Sequence, residues 1–321
     1  MTLGVVVPCY RQEQFLPRTV AALERALAEH DWRGVLVQAT PADTAALPAL
    51  SGHWTVRRTP GVGATTPGVA RNLGLAACDG AFALFVDADI EVDAAWVGRA
   101  LGVLAADPAI AGAWGRLEEW FVDPRGERPG ARDLNRVGEL DHDCELLAGL
   151  ALYRRDALER VGGYEPRLNS EEDFELGLRL RRAGFRLRSV GPVAAKHWSG
   201  PRPSFSEIGR RWRTGLCFGQ GQVLRLYLGR PGFRELARRQ SLYFAMLGLG
   251  LAAVPAALLG GARGVGLWGL APLALLTLMT LRKRSARLGL HALLTWSVHA
   301  AGLVVGFARG GPEPPATEGA C

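Results

Sequence analysis

Lysine is nearly missing from this chain. Lys196 and Lys283 are the only two, and arginine supplies the rest of the 38 basic side chains. Cysteine is sparse, and its five positions (Cys9, Cys78, Cys144, Cys217, Cys321) are scattered and odd in number. With no Cys-x-x-Cys pair, neither a thiolate zinc site nor a disulfide framework is indicated. Reduced thiols in a cytosolic domain are the expectation. No RNA- or DNA-binding signature is present. The first residues lack a basic stretch, and Leu3 to Val7 is too short for the apolar core of a signal peptide, so it is predicted as a strand. No internal repeat is visible.

Charge is also missing from three long stretches, 242–259, 265–281 and 288–307, which contain no Asp, Glu, Lys or Arg. Each is about as long as a bilayer-spanning helix, roughly 17–25 residues. Arg234, Arg238 and Arg239 precede the first, Arg263 lies in the turn before the second, and Arg282, Lys283, Arg284 and Arg287 separate the second from the third. The formal charge of +7 is concentrated here: residues 231–321 hold 9 basic and 3 acidic side chains. The pI near 9.6 therefore points to a membrane surface before nucleic acid. The positive-inside rule places the large N-terminal domain and the 282–287 loop in the cytoplasm, and the tail after Arg309 outside. The expectation is a multi-pass protein of the cell inner membrane. A buried helical hairpin of a soluble protein is the alternative. Before the first stretch, over 201–240, basic and aromatic residues interleave: Arg202, Arg210, Arg211, Trp212, Arg213, Phe218, Arg225, Tyr227 and Arg230. They read as an interfacial segment on anionic lipid, or as a pocket for a phosphorylated lipid or a leaving diphosphate.

The first 200 residues alternate short β-branched runs with helical spacings. Strands are predicted at 4–10, 35–37, 54–56, 81–86 and 110–118. Helices are predicted at 14–28, 69–77, 94–106, 155–161 and 171–183, and two further strands at 186–190 and 193–196. This alternation indicates an α/β fold, a mostly parallel sheet with helices on both faces. Residues 123–134 are expected to form a polar loop over a site. The domains expected are 1–200, 201–240, 241–308 and a short tail, 309–321.

The stretch Phe85-Val-Asp-Ala-Asp89 carries the most chemistry. Residues two apart on a strand point the same way, so Asp87 and Asp89 can face one site at the carboxyl end of a strand, where open α/β sheets bind ligands. Paired hard oxygens suit Mg²⁺ or Mn²⁺; a solvated turn after a strand gives the same residues. Arg71, near the start of a helix, can receive phosphate together with the free N–H groups of that helix, or be an ordinary surface residue. Ser170-Glu-Glu-Asp173 is a capping box by pattern, Ser170 with Asp173. Its acidic density, with Glu172 and Glu175, exceeds what a cap needs, and a carboxylate here can act as general base. His197 ends a strand and becomes a metal ligand only if that strand end meets the Asp87–Asp89 end.

In order and spacing these motifs resemble the family-2 glycosyltransferases, whose catalytic domain has the nucleotide-binding GT-A fold. The resemblance covers about residues 3–200. It rests on Val5-Val-Val-Pro8 with Tyr10, on Gly68-Val-Ala-Arg-Asn-Leu-Gly74, on Phe85-Val-Asp-Ala-Asp89, and on the run from Gly149 through Tyr153-Arg-Arg155, Gly162-Gly-Tyr164 and Glu172-Asp-Phe-Glu-Leu176 to Gly184-Phe185. It implies a GT-A domain followed by an α-helical membrane region, and a nucleotide-diphosphate sugar as donor. Pro8, Tyr10, Arg11, Arg71, Asn72, Asp87 and Ala88 would contact that donor. Asp89, completed by His197, would hold Mn²⁺ or Mg²⁺ against the diphosphate. Asp173, with Glu172 beside it, would be the base that deprotonates an acceptor hydroxyl. Gly149, Arg211 and Trp212 would face the acceptor or diphosphate. The implied reaction is a single in-line displacement with inversion, onto an acceptor hydroxyl or lipid-linked acceptor at the inner leaflet.

Two departures stand out. The family usually carries an Asp-rich turn after its second strand; here the chain reads Val37-Gln-Ala-Thr-Pro41, with the nearest carboxylate at Asp43. Processive members carry Gln-x-x-Arg-Trp; here Ile208 precedes Arg211-Trp212, which favours transfer of one sugar. A non-catalytic sugar-nucleotide-binding membrane protein of the same fold is the alternative, and a nucleotidyltransferase acting on sugar phosphates ranks lower.

Overall fold

The structure is a computed structural model that describes residues 2–39, 47–60, 65–124, 126–200 and 204–314. The strands are β1 (Leu3–Cys9), β2 (Trp32–Gln38), β3 (Trp54–Arg58), β4 (Phe82–Val86), β5 (Ile90–Val92), β6 (Ile110–Asp123), β7 (Gly126–Pro129), β8 (His142–Cys144), β9 (Leu150–Arg154) and β10 (Arg186–Ser199). The helices among them are α1 (Leu16–Ala26), α2 (Pro67–Ala76), α3 (Ala94–Ala106), α4 (Arg155–Val161) and α5 (Glu172–Arg182). Six more follow: α6 (Phe205–Arg213), α7 (Gly219–Leu226), α8 (Phe233–Arg239), α9 (Ser241–Leu251), α10 (Ala253–Lys283) and α11 (Ala286–Arg309). The chain divides into two compact units, one of residues 2–167 with 172–200, the other of 168–171 with 204–311.

The first unit is one mixed sheet in the order β3-β2-β1-β4-β9-β6-β10-β5, with β7 added to β6 and β8 to β10. β3, β2, β1 and β4 are parallel, β9 runs against β4 and β6, and β10 is parallel to β6 but antiparallel to β5. The sheet is therefore mixed: parallel across β3, β2, β1 and β4 and again between β6 and β10, and antiparallel at β9 and β5.

Successive strand residues divide between the faces, as the two-residue period requires. Val5, Val7, Leu84 and Val86 pack with Leu16, Leu23, Trp96 and Leu104 of α1 and α3. Val6, Ala83 and Phe85 pack with Ala70, Leu75, Leu158, Leu176 and Leu180 of α2, α4 and α5. Helices thus cover both faces, which is why β1 and β4 read as continuous apolar runs rather than alternating ones. Gly74 lets α2 lie close on β1: a Cβ there would clash with Val6 Cγ1.

Two predictions change in detail. The two strands expected at 186–190 and 193–196 are one strand, β10, whose register shifts relative to β6 between Ser189 and Ala195; bulges let a long strand bend without ending. The loop expected over 123–134 holds β7, which pairs Gly126–Pro129 with Trp120–Asp123. The residues expected to replace the Asp-rich turn beyond Ala39, including Asp43, lie outside those described, as do 61–64 of the loop before α2, Arg202 and Cys321.

The second unit is helical. Ser241–Lys283 and Ala286–Arg309 are long and apolar enough to cross a membrane by length and composition. The first reverses direction at Gly261 (φ 51°, ψ −138°), a conformation that glycine reaches without Cβ strain. Beyond it, the Trp268 indole donates to Leu249 O at 2.7 Å, so two antiparallel arms replace one long rod. α11 packs against α7 backbone to backbone. A Cβ on Gly221 would strike Leu303 O, and one on Gly306 would strike Phe218 O. Gly302 and Gly306 make a small-xxx-small stripe of the kind that lets membrane helices approach closely.

Cys9 is fully buried at the end of β1. Burial, aided by Glu13, pushes its thiol up to about 12. A raised pKa contributes stability below the unfolded value of about 9, and that contribution is lost as pH climbs toward 12. We expect urea unfolding at about pH 8 and about pH 11 to show a smaller alkaline loss in Cys9→Ala than in the unaltered chain.

Candidate functional site

The carboxyl ends of β1 and β4 lie side by side because the two strands are parallel neighbours, Val6 opposite Phe85. The Asp87-Ala-Asp89 turn therefore meets the residues after β1. Ala88 is buried, and its carbonyl accepts from Thr19 Oγ1 at 2.8 Å. The Gln12 amide donates to Asp89 Oδ2. Tyr10 is exposed, and Arg11, at φ 56°, lies over its ring at 5.3 Å. Pro8 pairs with Val37 of β2 in the interior of the sheet. Gln38, where the Asp-rich turn would begin, is buried and accepts from Arg58 Nε at 3.0 Å. A surface hollow lined by Leu3, Glu29, His30, Asp31, Phe82 and Leu101 lies at the opposite, N-terminal ends of these strands.

His197 reaches this edge by strand pairing. β10 runs antiparallel to β5 with His197 opposite Ile90, and the next amide, Trp198 N, donates to Asp89 O at 2.8 Å. His197 Nε2 stands 3.4 Å from Asp89 Oδ2. Adjacent ligands of one octahedral cation, with bonds of about 2.1 Å, lie about 3 Å apart. A carboxylate oxygen and an imidazole nitrogen at this spacing fit Mn²⁺ or Mg²⁺. Among the described residues no group of three or more His, Cys, Asp or Glu is placed to hold a metal. The protein offers two donors, a number usual for sites completed by water and substrate phosphate.

Arg71 has neighbours other than those expected of a phosphate-binding arginine. It sits on α2, whose start is set by Pro67 and by the Thr66 hydroxyl accepting from Val69 N at 3.2 Å. Its guanidinium is buried and forks between chain-distant carboxylates. Nη1 donates to Glu172 Oε1 at 2.6 Å, Nη2 donates to Asp87 Oδ1 at 3.0 Å, and Asp173 Oδ1 is 3.9 Å from Nη1. The Tyr164 ring lies 5.2 Å from the guanidinium carbon. Burial alone would lower the Arg71 pKa; Asp173, Asp87 and Glu172 outweigh it and hold the cation well above its ordinary value. Burial likewise raises the Tyr164 phenol, which stays neutral.

Asn72 is used on the backbone. Its amide donates to Tyr164 O at 2.7 Å and accepts from Tyr164 N at 2.8 Å. Gly149 O accepts from Asp87 N at 2.8 Å, and the backbone of Gly149 is left-handed at φ 75°, which glycine adopts without strain.

The expected capping box is not formed. α5 begins at Glu172, Glu171 is left-handed at φ 72°, and the Ser170 hydroxyl donates to Leu216 O at 2.9 Å. The acidic first turn suits the positive end of the helix, and Arg179, Arg181 and Arg182 suit the other. Glu175 is tied to Arg179 by two bonds of 2.7 and 2.6 Å. The Glu172 and Asp173 side chains differ in access, at 8% and 21% exposed.

Arg211 and Trp212 belong to the second unit, on α6. Arg211 Nε donates to Glu207 at 3.1 Å, and Trp212 is exposed and meets the edge of Phe218. Two arginines, Arg210 and Arg211, hold Glu207 below the usual carboxylate range. Arg225, also expected at an interface, donates to Phe307 O and Ala308 O at the end of α11. Gln12 and Tyr164 are the site residues that the sequence reading passed over. Tyr164 stood inside the Gly162-Gly-Tyr164 motif without a role. Gln12 had no motif, and only the β1–β4 pairing brings it to Asp89.

This mixed sheet with helices on both faces is the fold of GT-A-like domains. Residues 4–162 match the family described as Glycosyl transferase family 2, and the chain belongs to that family. The pre-mycofactocin glycosyltransferase of Mycobacterium tuberculosis is 33% identical over 146 residues, 40% of this chain. The match spans only 29% of that protein's length. Among solved structures, the mannosyltransferase of Pyrobaculum calidifontis in complex with GDP-Man and Mn²⁺ aligns with a TM-score of 0.58 at 17% identity, over 96% of this chain and 86% of that one. At this identity the likeness establishes the fold.

Removing the Arg71 cation would leave Glu172 a buried, unpaired carboxylate. We expect Arg71→Leu to cost roughly 3–5 kcal/mol of stability, measured by urea unfolding. Arg71→Lys should recover only part of it, because an ammonium cannot fork between carboxylates.

Proposed function

We propose that this protein transfers one sugar from a nucleotide-diphosphate sugar to an acceptor hydroxyl, with inversion, at the inner leaflet of the cell membrane. The observation that carries the reading is the linked cluster at the sheet edge: His197 beside Asp89, Asp87 on the same turn, and Arg71 tying Asp87 to the Glu172–Asp173 pair. Both relatives act on sugars by name, and the archaeal one was solved with a nucleotide sugar and Mn²⁺.

The donor lies across the ends of β1 and β4, with Tyr10 and Arg11 toward the nucleotide and Asp87 toward the ribose or sugar. Asp89 and His197 would hold the divalent cation, which would supply positive charge against the leaving diphosphate. Asp173 accepts the proton of the acceptor hydroxyl as that oxygen attacks the anomeric carbon from the side opposite the diphosphate. Attack from that side inverts the configuration. Between the two acidic residues, access favours Asp173, since Glu172 is the more buried and makes the short bond to Arg71. Arg71 and Glu172 position this base.

The membrane part of the proposal rests on the helices of the second unit. Leu258, Leu259, Leu267, Leu273 and Leu281 are largely exposed, a surface that water disfavours and lipid accepts. With the reversal at Gly261 there are three spans. The acceptor is a hydroxyl or lipid-linked group at the cytoplasmic leaflet, where α6 lies on the headgroups with Phe205, Trp212 and its arginines.

We expect Asp89→Ala and Asp173→Asn each to lower transfer by about 100-fold or more in membranes, and EDTA to do the same until Mn²⁺ is restored. Full activity in both variants would overturn the assignment. Mass spectrometry of lipid extracts made with and without active enzyme would identify the sugar and acceptor together. Binding of GDP-mannose, UDP-glucose or UDP-N-acetylglucosamine by the unaltered chain with no turnover would favour a non-catalytic role. For topology, the chain should stay with membranes through alkaline carbonate, and Cys321 should react with an impermeant maleimide from outside. Labelling only after the membrane is opened would refute the topology.

A further inference from the structure

Four residues of the chain, 168–171, pack with the helical unit although the residues on both sides of them belong to the sheet unit. Every anchor of this segment is specific. Asn169 N donates to Gln222 Oε1 at 3.0 Å, its amide donates to Gly215 O at 3.3 Å, and Ser170 Oγ donates to Leu216 O at 2.9 Å. A Cβ on Gly219 would strike Ser170 Oγ, so the segment lies directly against the start of α7.

Glu171 ends the segment, and its geometry is unusual. Its backbone is left-handed at φ 72°, a region that residues with a long side chain seldom adopt. Its carboxylate faces three donors of the helical unit: Arg239 Nε at 3.2 Å, Gln240 Nε2 at 3.4 Å and Gln220 Nε2 at 3.5 Å. Gln240 and Gln220 are buried, and Gln220 is itself 3.2 Å from His299 Nδ1 on α11. His299 in turn stacks on Tyr243. A capping role does not explain this arrangement, because the carboxylate points into these donors and the helix proper starts one residue later.

We propose that Glu171 is a positioning residue for sugar transfer. The clamp on its carboxylate holds the backbone in the left-handed turn, and that turn fixes where Glu172 and Asp173, the next two residues, begin α5. The inference rests on the reading of Asp173 as base.

The test is steady-state kinetics of the full chain in vesicles of phosphatidylethanolamine, phosphatidylglycerol and total lipid extract of the source membranes. It reads nucleoside diphosphate release from GDP-mannose, UDP-glucose and UDP-N-acetylglucosamine with Mn²⁺. Glu171→Asn is the informative variant, because asparagine tolerates the left-handed backbone and is too short to keep all three bonds. We expect kcat to fall about tenfold or more, as small displacements of a catalytic group do, with donor KM changed less than about twofold. Glu171→Gln, which keeps the length, should retain more activity than Glu171→Asn. Arg239→Gln should give part of the loss and add little in the double variant, since the two act through one contact. It also carries the test if Glu171→Asn does not fold. A residue that only supports folding would reduce the amount of active enzyme and leave kcat per folded molecule unchanged; that result, or wild-type kcat in Arg239→Gln and the Glu171 variants, overturns the proposal. Asp173→Asn runs in the same assay. If it keeps full turnover, the reading of the base fails; if it is inactive while Glu171→Asn is not impaired, this inference fails alone.

Discussion

One buried cation, Arg71, joins carboxylates from two other, separate parts of the chain. Its fork touches Asp87 after β4 and Glu172 at the start of α5, with Asp173 slightly farther off. Without a positive charge between them these carboxylates would repel one another. The guanidinium in turn would not be stable there without them. Each side makes the other possible, so α2, β4 and α5 are locked in register around one side chain. One guanidinium thus stands among three carboxylates at this edge.

The second constraint is the direction of β10. Had it ended at the bulge between Ser189 and Ala195, the strand would have stopped short of β5. Because the bulge bends it and pairing resumes, His197 comes opposite Ile90 and beside Asp89. A backbone irregularity thus decides whether two potential ligands meet. In the helical unit glycine plays the corresponding role, with Gly221, Gly302 and Gly306 removing the side chains that would hold α7 and α11 apart.

Much of this was legible in the linear sequence. α3 and α4 fall at their expected limits, because Asp93 caps the first and Gly162, left-handed, ends the second. Both are local signals. The Ser170–Asp173 pattern, also local, was misleading: Glu171 is left-handed, α5 begins only at Glu172, and the serine hydroxyl donates to Leu216 O. Asn72 and Arg71 were expected near the donor. In the structure Asn72 holds Tyr164 and Arg71 holds the carboxylates, partners that no window of sequence contains. Gln12 was silent for the same reason.

By itself the sequence determined the α/β alternation, the family, the identity of the acidic and imidazole groups, and the three apolar stretches. All of these depend on residue type and short-range spacing, where sterics, capping and burial act within a few residues. Only the tertiary structure decided that β9 and β5 run antiparallel, that His197 meets Asp89, that Arg71 is buried among Asp87, Glu172 and Asp173, and that Glu171 is held by Arg239, Gln220 and Gln240. Those outcomes depend on pairing between distant segments, whose energies come from charges and hydrogen bonds that exist only once the chain has closed on itself.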